Sequence, residues 1–187
     1  MSGHDFSRAV ELRERSGAIQ RFQNDYTRAR SLKVATRAAG GKAIFQTERM
    51  ANLFIEVLRS QVRLRRFVIH EFVVMSNHVH LLLTLPGELS LEKAMQFVKG
   101  GFSFQAKRVL GFNGEVWQRG FSDVLVVDEE SFQRHKEYTY MYPVRVGLAN
   151  SPDEFRFSTA VLKKQIQPGA RAPHSLEASG GTTEVVP

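Results

Sequence analysis

His78 and His80 are the residues whose type and spacing could do metal chemistry. They lie in the stretch 72–84, which is rich in β-branched and apolar residues and is closed by Pro86-Gly87. That composition predicts a strand. Alternate side chains of a strand share a face, so the two imidazoles project together, roughly 6.5–7 Å apart along the chain, while Val79 and Leu81 point toward a core. Two imidazoles on a rigid strand could hold one divalent ion if a third ligand came from elsewhere. The competing reading is a half-buried polar face, which a His-x-His pair on a strand more often is. His4 and His174 lie in terminal segments, and His70 shares the pair's parity only if the strand runs unbroken from there.

The elements that must position these residues can be read along the chain. Residues 1–30 form a polar, basic, weakly periodic segment in which a short helix over 9–22 is conceivable. Residues 31–36 suggest a first strand, although Lys33 and Ala35 make it a poor one, and Ala39-Gly40-Gly41 is a turn. Residues 47–63 predict a helix, with Met50, Phe54, Val57 and Leu58 on one stripe. Residues 66–74 and 77–85 are one bent strand or two paired ones. A second helix spans 90–109, interrupted by Gly100-Gly101, and a loop then carries the only tryptophan, Trp117, before a strand over 121–127. Asp128 suits an N-cap, with Glu129 and Glu130 at the positive end of a helix dipole. That last helix is expected to end near Tyr142, because Pro143 disfavours helical geometry in the residue before it. Strands and helices alternate as in an α+β fold of the ferredoxin-like kind, an antiparallel sheet with helices packed on one face. The expected organisation is a basic segment 1–30, a domain 31–162 and a disordered Pro/Gly/Ser/Thr-rich tail 163–187.

The chain has 187 residues and no cysteine, which excludes disulfides, thiolate metal sites and a cysteine nucleophile. No run approaches a membrane span and the first residues lack an apolar signal core, so a soluble, cytoplasmic protein is expected. Lys and Arg number 26 against 19 Asp and Glu, a net charge of +7, and the pI is near 10.0. Such a balance favours an anionic partner, most commonly nucleic acid. Arg63, Arg65, Arg66, Lys99, Lys107, Arg108 and Arg119 are candidate phosphate contacts. Trp117 could stack a base, though it suits a core anchor better.

The last predicted helix carries Tyr138, Tyr140 and Tyr142. Tyr138 and Tyr142 are four residues apart and share a face, while Tyr140 points elsewhere. Three ordered blocks now stand together: Val74-Met75-Ser76-Asn77-His78-Val79-His80-Leu81-Leu82, then Trp117-Gln118-Arg119-Gly120-Phe121, then Glu137 to Leu148 with Tyr138 and Pro143. They resemble the tyrosine transposases of the HUH superfamily, and more closely the group associated with repetitive extragenic palindromes, across roughly residues 45–160. The resemblance implies a ferredoxin-like fold acting on single-stranded DNA at hairpins, as a monomer or homodimer. It implies Mg²⁺ or Mn²⁺ on His78 and His80, and Tyr138 as the nucleophile that forms a 5′-phosphotyrosine and frees a 3′-OH. An ordinary tyrosine has a pKa of about 10, so such a site must assist it.

The sequence departs from that family in instructive places. The helix motif of the family runs Tyr, three residues, Asn-Pro, and the Asn is its third metal ligand; here that position is Tyr142, and a neutral phenol is a poor ligand for a hard cation. Ser76 stands where Pro is usual, residues 123–127 lack the family's His and Arg, and residues 31–41 are more polar and basic. Three functions therefore compete: a DNA transesterase using Tyr138, a hairpin-binding module without chemistry, and a metal-dependent hydrolase using water.

Overall fold

The computed structural model describes residues 29–160, so the expectations for the N-terminal helix and for the tail lie outside the described residues. Four strands, β1 (Arg30–Arg37), β2 (Val68–Val74), β3 (His78–Leu85) and β4 (Ser122–Val126), alternate with three helices. The helices are α1 (Glu48–Arg63), α2 (Leu91–Leu110) and α3 (Glu129–Arg145). The sheet has the order β2-β3-β1-β4, and every neighbouring pair is antiparallel. β2 and β3 are thus two paired strands joined by a tight turn that the Met75 N–H closes onto the His78 carbonyl at 2.8 Å.

One face of the sheet is built from the apolar parity of the strands: Leu32 and Val34 of β1, Phe72 and Val74 of β2, and Val79, Leu81, Leu83 and Leu85 of β3. These meet α1 and α2, whose apolar stripes bury Phe54, Leu58, Met95, Val98 and Phe102. Thr47 and Ser90 cap the two helices through their side-chain oxygens, which satisfies amide donors that a helix start leaves unpaired. α2 runs unbroken through Gly100-Gly101. A Cβ at Gly101 would sit 3.5 Å from Val57 Cγ1, so this glycine lies at the α1 crossing.

The sequence led to the expectation that all the helices pack on one face, and only α1 and α2 do so. α3 is different: it lies across the opposite face, where Tyr138 and Tyr142 meet the His80 ring of β3. Strand pattern alone hid this, because the covered parity of β1 and β3 is polar rather than apolar. A second difference concerns Pro143, which lies inside α3. A proline forfeits only its own N–H bond and crowds the carbonyl four residues back. In the final turn little helix follows it, and the Val146 and Leu148 amides still bond back to Tyr142 and Pro143 at 3.2 and 2.9 Å.

Candidate active site

β1 and β3 are adjacent in the sheet, and their register decides what faces α3. Arg37 lies opposite His78, Ala35 opposite His80, and Lys33 opposite Leu82. Strand parity then places Lys33, Ala35, Arg37, His78 and His80 on one surface. α3 is fixed over it by an N-terminal capping box between Asp128 and Ser131, and its i, i+4 spacing brings Tyr138 and Tyr142 down together. Between them opens a cleft of about 520 Å³, lined also by Gln118, Arg119, Phe121 and Ser122.

Inside the cleft the rings are tightly grouped. His78 and His80 have centroids 5.0 Å apart; Tyr142 sits 4.4 Å from His80 and 5.6 Å from His78. Tyr138 is 6.1 Å from His80. The Lys33 ammonium lies 4.0 Å from the centre of the Tyr138 ring, and the Arg145 guanidinium 5.2 Å from it. Tyr140 points away, its hydroxyl donating to Asp153 Oδ1 at 3.5 Å.

The hydrogen bonds define the tautomer of His78. Its Nδ1 is 2.7 Å from Asn77 Oδ1, and a carbonyl oxygen only accepts, so Nδ1 carries the proton. Nε2 is then bare and accepts from the Tyr142 hydroxyl at 3.2 Å. Burial, and then Arg37, hold His78 below the usual imidazole range. Burial first, then His78, Lys33 and Arg37, push His80 down to about 3. Burial raises the Tyr142 phenol, and burial also lowers the Lys33 amine.

Whether this donor set suits a divalent ion can be tested on its atoms. Both His80 nitrogens are buried without a hydrogen-bond partner, which is what a ligand would relieve, since an orphaned buried polar group costs about 1–3 kcal/mol. The rest opposes it. His78 Nε2 is taken by Tyr142, the Tyr142 ring packs on His80, and Tyr142, the position expected to supply a third ligand, is a phenol whose pKa burial raises further. Among the described residues no three His, Cys, Asp or Glu side chains come together, and the charges facing the pair are the cations Lys33 and Arg37. In this arrangement the residues do not fit a resident Mg²⁺ or Mn²⁺.

The basic residues singled out in the sequence scatter. Only Arg119 lines the cleft. Arg63 lines a groove between α1 and α2 on the far layer; Arg65 sits in the turn after α1 with a φ of 54°. Arg66 donates to Gln61 Oε1 at 2.7 Å and stacks on Phe97. Lys107 and Arg108 end α2. Lys99 donates to the Gln118 and Gly120 carbonyls at 2.9 and 2.6 Å, so it shapes the loop that carries Arg119. Trp117 is buried against Phe45, Phe54 and Phe102, the core anchor that suited it better. Lys33, Arg37 and Arg145 were missed as site residues. The alternation of Leu32, Val34 and Thr36 with Lys33, Ala35 and Arg37 was the signal that could have found the first two.

The model of the family described as "Transposase IS200 like" matches residues 32–140, more than half of the chain. The protein belongs to the IS200-like transposase family. The REP-associated tyrosine transposase of Escherichia coli (strain K12) is 26% identical over 115 residues, covering 61% of this chain and 64% of that protein; the chain thus spans slightly less than two thirds of that relative. Among solved structures, a REP-associated tyrosine transposase bound to a REP hairpin superposes with a TM-score of 0.57 at 21% identity, over 84% of this chain and 93% of that one. The IS200-like fold is therefore shared. Among the described residues no helix is long and apolar enough to cross a membrane.

Proposed function

We propose that this IS200-like protein cleaves and rejoins single-stranded, hairpin-bearing DNA, with Tyr138 as the nucleophile. The observation that carries this reading is convergence: Tyr138 of α3 meets Lys33 of β1 and the His pair of β3 in one open cleft. That cleft is lined by three cationic side chains, Lys33, Arg37 and Arg119, and by no carboxylate. The REP hairpin held by the structural relative supports DNA of that kind as the partner.

The chemistry needs little beyond positioning and charge. The Tyr138 oxygen attacks the scissile phosphorus as the bond from phosphorus to the 3′ oxygen breaks, leaving a 5′-phosphotyrosine and a 3′-OH. The phenolic proton is released to water and the departing oxygen takes one up. One phosphodiester replaces another, so a later 3′-OH can reverse the step without an energy source. Guanidinium groups such as Arg119 hold the flanking phosphates, and Phe121, half-buried at the rim, offers a face on which a base can stack.

The test is a covalent-adduct assay on a denaturing gel with end-labelled hairpin DNA. The native chain is expected to carry the label on the 3′ side of the break, and Tyr138→Phe to lose it entirely. A label retained by Tyr138→Phe would end this reading. The second reading, a hairpin-binding module without chemistry, is favoured by the Tyr142 phenol closed over the His pair. Salt-sensitive hairpin binding with no adduct under any condition would establish it.

A further inference from the structure

We propose that Lys33 supplies the positive charge that polarises the scissile phosphate in this chain, so that strand transfer by Tyr138 proceeds without a divalent metal. The inference rests on the transesterase reading above and adds the electrophilic partner that reading leaves unassigned.

Three observations converge on it. The His pair is closed: Tyr142 bonds to His78 Nε2 and packs its ring, tilted by 58°, 4.4 Å from that of His80, both of whose nitrogens are buried. Charge must then come from elsewhere, because a phosphoryl group under attack gathers negative charge on its non-bridging oxygens. The second observation is position. With Nζ 4.0 Å from the Tyr138 ring centre, Lys33 is the amine beside the attacking phenol. A phosphorus within attacking distance of that oxygen, about 3–3.5 Å, brings its own oxygens into reach of the ammonium. The third is that the Lys33 charge is not already committed. It forms no ion pair among the described residues, no carboxylate lines the cleft, and partial burial strips its hydration.

The strand register completes the arrangement. Ala35, the residue between Lys33 and Arg37 on this face, lies opposite His80. Its methyl group leaves the floor of the cleft open where a larger side chain would fill it. Lys33 thus sits beside the nucleophile and Arg37 beyond it, suited to the scissile phosphate and to a neighbouring phosphate of one strand. In the reaction, the bond from the Tyr138 oxygen to phosphorus forms while the bond to the 3′ oxygen breaks. Lys33 stays protonated and lends its hydrogen bonds to a non-bridging oxygen. The proton lost by the phenol is matched by the one the 3′ oxygen gains, so no co-reactant is required.

The experiment measures adduct formation by the full chain with labelled hairpin DNA in excess EDTA, for the native protein, Lys33→Met, Lys33→Arg and Tyr138→Phe. Hairpin affinity is followed in parallel by fluorescence anisotropy, and Mn²⁺ binding by electron paramagnetic resonance. A thermal melt of each variant confirms folding. The native chain is expected to form the adduct in EDTA. Lys33→Met is expected to slow it about 100-fold or more, the scale of losing one preorganised donor to a developing oxyanion. Its hairpin affinity should fall much less, and Lys33→Arg should restore part of the rate. Native protein should leave the Mn²⁺ spectrum that of the free ion, while Tyr142→Asn should bind the ion. An adduct that needs Mn²⁺, or one formed at the native rate by Lys33→Met, overturns the inference while leaving Tyr138 transesterification standing. No adduct under any condition, or one that persists in Tyr138→Phe, overturns both.

Discussion

The two faces of the same sheet are built from the same two central strands and obey opposite rules. On the α1/α2 face, β1 and β3 present Leu32, Val34, Val79, Leu81 and Leu83 to an aromatic cluster of Phe45, Phe54, Phe102 and Trp117. On the α3 face the alternate residues are Lys33, Arg37, His78 and His80, roofed by two tyrosines. The first face gains stability by excluding water from apolar area. The second holds the His80 imidazole, both of whose nitrogens are buried and unpaired, beside Lys33 and Arg37, which form no ion pair among the described residues, an arrangement that costs stability and keeps reactive groups poised. Fold and function are thus separated by one residue of strand register, and slipping β1 by one position would exchange them.

The largest expected effect breaks the apolar face. Phe102 is fully buried, with ring centroids 5.3–5.6 Å from Phe54, Phe45 and Trp117. Phe102→Ala should cost about 3–5 kcal/mol of unfolding free energy, read as a lower urea midpoint. Adduct formation should fall only in step with the unfolded fraction.

A smaller effect lies on the polar face and follows pH. The folded-state pKa of His80 is about 3, well below its ordinary 6.5, so between those values the unfolded chain binds the extra proton. Stability is therefore full above about pH 6.5 and is lost as pH falls toward about 3, by up to about 1.4 kcal/mol per pH unit. His78 is lowered in the same direction. Carboxylates titrate there too, so the measurement is a difference: urea midpoints of the native chain and of His80→Gln from about pH 7 to about pH 4.5. His80→Gln should show the shallower acid limb, and parallel limbs would mean that His80 carries no burial penalty.

The apolar face was legible in the sequence because water decides it residue by residue. The stripe Met50, Phe54, Val57 and Leu58 and the core-facing parity of Val79 and Leu81 need no partner to be recognised. His78 with His80, and Tyr138 with Tyr142, were legible as pairs because both spacings are fixed by local geometry. What remained hidden depended on a neighbour. Lys33 and Ala35 read as faults in a poor strand. Only α3 crossing that face turns them into one of the cleft's cations and its floor, and the helix passes Pro143 because packing outweighs one lost bond. Basic residues were the least legible, since charge alone carries no information about which face a side chain ends on; of the eight DNA-contact candidates only Arg119 reached the cleft.

The smallest effect sharpens the comparison where it is most exposed, at those basic residues. Arg119 lines the cleft, whereas Arg66 is held on the other layer by Gln61 and Phe97. If hairpin DNA lies only on the α3 face, Arg119→Ala removes one phosphate contact. Its affinity then falls modestly for every sequence tested, and the slope of log affinity against log salt becomes shallower by about one. Arg66→Ala removes as much charge from the protein but none from the path of the strand, so its slope should stay native. Fluorescence anisotropy of a labelled hairpin over a series of salt concentrations reads both. Equal loss of slope in the two variants would mean that the strand wraps the sheet edge and reaches α1. The division between a structural face and a reactive face would then fail at its boundary, although the apolar core behind it would stand.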